Sequence, residues 1–65
     1  MKSYSSREVL QRLRADGWYK VGQDGDHIQL KHPAKKGKVT VTHPKKDVPL
    51  GTLKAIEAQS GLKFS

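Results

Sequence analysis

Apolar and polar positions follow two different periods along this chain, and each change of period marks an element. Val9, Leu10 and Leu13 recur at helical spacing, while Arg7, Gln11, Arg12 and Arg14 point outward. Ser5 and Glu8 have the spacing of a capping box, and Tyr4 and Val9 that of a hydrophobic staple. Gly17 stands where a helix C′ glycine is expected. A first helix is therefore predicted between Ser5 and Gly17, behind a lead-in of residues 1–4.

The period then drops to two. Trp18-Tyr19-Lys20-Val21 reads as a first strand of undecided facing, since both Trp18 and Tyr19 favour burial. Gly22 to Gly25 reads as a turn, with Asp24-Gly25 as its strongest signal. His27 to His32 reads as a second strand, with Ile28 and Leu30 on one face and His27, Gln29 and Lys31 on the other. The stretch 33–37, with proline at its start and glycine at its end, is a loop. Lys38-Val39-Thr40-Val41-Thr42 is β-branched and strictly alternating, a third strand. Short connections make the three strands an antiparallel meander.

His43 to Pro49 is a loop, because its two prolines exclude regular structure. Pro49 to Ser60 is a second helix, with Leu50, Leu53 and Ile56 at inward spacing and Gly61 past its end. Leu62 and Phe64 are expected to fold back onto the core. The class is α+β in the order α-β-β-β-α: a three-stranded antiparallel sheet with one face packed on two helices and its polar face open. Residues 1–65 read as one domain.

Composition limits what such a domain can do. A chain of 65 residues, 34% hydrophobic with four alanines among them, buries only about 60% of its unfolded surface. Chemistry is confined to a surface or a shallow groove. The absence of cysteine removes disulfides, thiolate catalysis and Cys-type zinc sites. No apolar run nears the roughly 18 residues of a membrane span, and no signal-peptide core is visible at the N-terminus, so the expected location is cytoplasmic. Thirteen Lys and Arg against six Asp and Glu give +7, a field that attracts polyanions, nucleic acid first among them.

The histidines carry the candidate chemistry. His27 lies on the polar face at the start of strand two, beside a turn. Its unperturbed pKa of about 6.5 suits proton transfer to and from RNA, whose 2′-hydroxyl supplies its own nucleophile. An ordinary surface histidine is the plainer alternative. His27 and His32 differ in parity, and no carboxylate or cysteine completes a site, so neither a metal nor any other cofactor is expected. Lys20, Lys31, Lys35, Lys36, Lys38, Lys45 and Lys46 are the candidate phosphate ligands, the 35–36 and 45–46 pairs forming two basic loops about the open sheet face. Trp18, Tyr4, Tyr19 and Phe64 form no stacking ladder and are assigned to the core, against a single-strand reader of the RRM or cold-shock kind.

These pieces, in this order, resemble the HicA toxins of HicA–HicB toxin–antitoxin pairs. The resemblance runs from about Ser6 to Leu62. It is carried by Gly25-Asp26-His27, Leu30-Lys31-His32-Pro33, Lys38-Val39-Thr40-Val41 with His43-Pro44-Lys45-Lys46-Asp47, and Pro49-Leu50-Gly51-Thr52-Leu53-Lys54-Ala55-Ile56 closed by Gly61-Leu62. It implies a fold like the double-stranded-RNA-binding domain and an endoribonuclease, an mRNA interferase needing no ribosome. It also implies a HicB-type antitoxin covering the active site, with the toxin monomeric when free and hetero-oligomeric with its antitoxin. The family's catalytic histidine falls on His27. Two departures stand out: Asp26 replaces the commoner serine, and Thr42 stands where proline is frequent. A non-catalytic RNA-binding module of the same fold is the alternative, and an adaptor for an acidic protein is a third reading.

Overall fold

The computed structural model describes residues 3–64; Met1 and Lys2 of the lead-in and Ser65 lie outside the described residues. Helix α1 spans Ser6–Ala15, strands β1, β2 and β3 span Tyr19–Asp24, His27–Lys31 and Val39–Thr42, and helix α2 spans Leu50–Ser60. The strands form one antiparallel sheet in the order β1-β2-β3. The α+β order expected from the sequence is the order found.

Helix α1 begins as its sequence requires. The Ser5 hydroxyl accepts from the Glu8 N–H at 3.2 Å, and the Glu8 carboxylate accepts from the Ser5 N–H at 3.1 Å. Such a cap contributes about 1 kcal/mol. Tyr4 and Val9 are both buried beside it, as a staple requires. The lead-in is also tied to the later loop: the Ser6 N–H donates to the Lys45 carbonyl, and the Val48 N–H to the Tyr4 carbonyl. Helix α2 starts at Pro49, which supplies no side-chain cap, and ends on Gly61 at φ 78°.

The core forms between the inner sheet face and the two helices. Ile28, Leu30, Val39 and Val41 meet Val9, Leu10 and Leu13 of α1 and Leu53 and Ile56 of α2. The C-terminal residues close it. Phe64 is buried edge-on against Tyr4 at 5.4 Å. Arg12 lies over the Phe64 ring and donates to the Lys63 carbonyl at 2.8 Å. Leu62 is half-buried against the same cluster.

Four expectations need correction. β1 starts after Trp18 and runs through Gly22, Gln23 and Asp24, so the turn is Gly25-Asp26 alone. Gly25 has φ 63° and no non-glycine among the described residues has positive φ, the sign pattern of a type II′ hairpin turn. A bulge between Lys20 and Gly22 lets the longer strand keep its pairing. Trp18 is buried, but Tyr19 is half-exposed and belongs to no core. Leu50, in the first turn of α2, is 44% exposed rather than inward.

Candidate functional site

Strand parity builds the site. Ile28 and Leu30 are buried, so the other three residues of β2 present the open face: His27, Gln29 and Lys31. His27 pairs with Thr42 on β3 and with Asp24 on β1, which therefore lie on the same face. Its side chain is 55% exposed at the mouth of the Gly25-Asp26 turn. Asp26 approaches to 3.8 Å between Oδ1 and Nε2, a charge contact too long for a hydrogen bond. The imidazole thus stands open to solvent, with Asp26 beside it and Asp24 opposite it on the neighbouring strand.

The expected lysines divide. Lys31 lies on the open face, paired with Tyr19. Lys38 reaches onto it, its Nζ 3.3 Å from Gln29 Oε1. Lys36 is exposed in the loop at the Lys31 end. Lys45 and Lys46 lie at the opposite end, over the start of α1, where the Lys45 N–H donates to Ser6 Oγ at 2.8 Å. Lys20 pairs with the buried Leu30 and so belongs to the other sheet face, where its Nζ donates to Gln23 Oε1 at 2.7 Å. Lys35 is committed to structure: its Nζ bridges Asp16 Oδ2 at 2.6 Å and the Ser60 carbonyl at 2.9 Å. That hydrogen bond, ahead of every other influence, holds the Asp16 carboxyl below the usual aspartate range.

The three histidines have three surroundings. His32 is internal, with Nε2 donating to the Asp16 carbonyl at 2.7 Å and Nδ1 accepting from the Ala34 and Lys35 N–H groups. Its ring stacks edge-on against Trp18 at 5.3 Å. His43 Nδ1 lies 2.7 Å from Ser6 Oγ, and its ring faces a groove beside α1 with Arg7, Leu10, Gln11, Arg14 and Ile28. His27 alone faces the open sheet. Among the described residues no three His, Cys, Asp or Glu side chains are gathered to hold a metal. None of the described helices is long and apolar enough to cross a membrane.

Sequence reasoning overlooked Asp24 as a neighbour of His27, because it ended β1 at Val21. It also passed over the groove, although Arg7, Gln11 and Arg14 recur at four and three residues and so share one helix stripe.

With this geometry in place, comparison with protein families is decisive. Residues 6–62 match the profile described as HicA toxin of bacterial toxin–antitoxin. The chain belongs to the HicA toxin family. The match takes in both helices and all three strands, so the His27 hairpin and α2 fall within it. HicA membership makes the chain a toxin of a toxin–antitoxin pair and implies a HicB antitoxin as its partner. A search of curated proteins finds no match.

Proposed function

We propose that this HicA protein is a metal-independent endoribonuclease that cleaves mRNA, with His27 as the proton-transfer residue. The observation that carries the reading is the exposure of His27 on the polar sheet face, at the mouth of a tight turn, in a strongly basic chain of this family. In the reaction the RNA 2′-hydroxyl attacks the adjacent phosphorus. His27 accepts the hydroxyl proton, the bond to the 5′-oxygen breaks, and that oxygen leaves with a proton taken from solvent, to which His27 later releases its own. The products are a 2′,3′-cyclic phosphate and a 5′-hydroxyl. Lys31 and Lys38 on the open face, with Lys36, Lys45 and Lys46 at its two ends, hold the phosphates on either side. Asp24, across the strand pair, and Asp26, in the turn, stand on the same corner as His27. A HicB antitoxin neutralises the toxin by covering His27 and the basic face, and the site of action is the cytoplasm.

A second reading, RNA binding without cleavage, draws support from the same two carboxylates, which oppose a phosphate at His27. Induced expression of the wild type and of His27→Ala separates the two. Cleavage predicts that only the wild type arrests growth and degrades mRNA, while both bind RNA. Equal growth arrest by both proteins, with mRNA intact, contradicts catalysis and favours sequestration.

A further inference from the structure

The groove beside α1 holds a second cluster of positive charge, on the other side of the sheet from His27. It encloses about 550 Å³ and is lined by Arg7, Gln11 and Arg14 from one stripe of α1, by His43, and by Leu10 and Ile28 as its floor. Arg7 and Arg14 are exposed, and neither guanidinium makes a hydrogen bond or ion pair among the described residues. His43 is held differently from an ordinary surface histidine. Ser6 is buried to 1% exposure, and its Oγ accepts from the Lys45 N–H and lies 2.7 Å from His43 Nδ1, which ties the ring to the start of α1. The imidazole is thereby fixed in orientation beside the two guanidinium groups that line the groove. Two guanidinium groups and a held imidazole around an open groove with an apolar floor suit a phosphate and its sugar.

The groove is also continuous with the His27 corner. The His43 N–H donates to the Asp26 carbonyl at 2.8 Å, and Thr42 pairs with His27. His27 and His43 thus stand on the two faces of one sheet corner, joined across neighbouring strands by that hydrogen bond.

We infer that this groove is a strand-binding subsite, in which Arg7 and Arg14, with the His43 ring beside them, hold a phosphate of the same RNA strand that passes His27. The inference rests on the ribonuclease reading for its ligand, but its test does not require cleavage. The strand wraps the corner, with the nucleotide to be cut on the open face and a flanking nucleotide in the groove.

The test uses a short fluorescent single-stranded RNA and the full chain carrying His27→Ala, titrated by anisotropy over a series of salt concentrations. Adding Arg7→Gln or Arg14→Gln weakens binding and makes the slope of log K against log salt shallower by about 0.7 for each arginine. Adding Lys54→Gln, on the exposed face of α2, changes neither. Nitrogen NMR of the imidazoles gives an independent reading: RNA shifts the His43 resonances and leaves those of the internal His32 in place. Unchanged affinity and slope in both arginine variants overturn the subsite. So does loss of antitoxin binding with RNA binding intact, which would assign the groove to a protein partner. Absence of any RNA binding by the His27→Ala parent overturns the subsite too. Weakened binding by the arginine variants, in a wild type that does not cleave, supports the groove while refuting the ribonuclease reading.

Discussion

Gly17 shows how much one residue settles in so small a protein. It has φ 106°, and a Cβ there would lie 2.8 Å from His32 Nε2. That nitrogen donates to the Asp16 carbonyl, so a side chain at 17 both strains the backbone and displaces the ring that organises the next loop. Gly17→Ala is expected to cost about 1–3 kcal/mol through the backbone alone, read as a lower urea midpoint. Gly22→Ala, with open space about it and no positive φ, should stay within about 0.5 kcal/mol of wild type. Equal midpoints would show that the Gly17–His32 contact is unimportant. The sequence marked Gly17 as a helix end by position, but contact with a histidine fifteen residues later has no local signal. His27 was more legible, since alternation with Ile28 and Leu30 sufficed to put it on the open face. The separate surroundings of His32 and His43 were not, because Asp16 and Ser6 reach them through the tertiary fold.

Between elements, the Lys35 ammonium joins the end of α1, the loop before β3 and the end of α2. Its chemistry makes a pH prediction with a definite sign. The folded Asp16 carboxyl titrates below its unfolded value because Lys35 donates to it. The contribution to stability is therefore present above the unfolded pKa of about 3.9, and is lost as pH falls through the lower, folded value. Urea unfolding from pH 7 to pH 2 should show wild type losing stability more steeply below about pH 4 than Lys35→Met does. A carbon NMR titration should show the Asp16 carboxyl moving upward in the variant. Matching pH profiles would mean the bridge carries no stability. The boundaries of β1 belong to this scale as well. Gly22 and Asp24 are turn formers by local propensity, yet cross-strand pairing with Gln29 and His27 overrides it, and a bulge absorbs the extra residue. Leu50 was misjudged for a related reason: α2 packs on β3 through Leu53 and Ile56, one turn further along.

Across the whole molecule, the α-β-β-β-α order was legible because helix and strand periods differ so plainly between Val9 and Ile56. The net charge of +7 was legible too, but its distribution was not. The fold sends Lys31 and Lys38 to the open face, spends Lys35 on a clamp, and leaves Arg7 and Arg14 in a groove on the opposite side. A charge on both faces suits a strand that bends round the sheet, with His27 at the bend. The central claim is that His27 cuts RNA by moving a proton, with the 2′-hydroxyl as nucleophile. The most direct measurement is the chemistry of the ends left when purified wild type and His27→Ala act on RNA in the presence of EDTA. The account predicts 2′,3′-cyclic phosphate and 5′-hydroxyl ends from the wild type alone. Recovery of 3′-hydroxyl ends, activity abolished by EDTA, or equal cleavage by His27→Ala would contradict it.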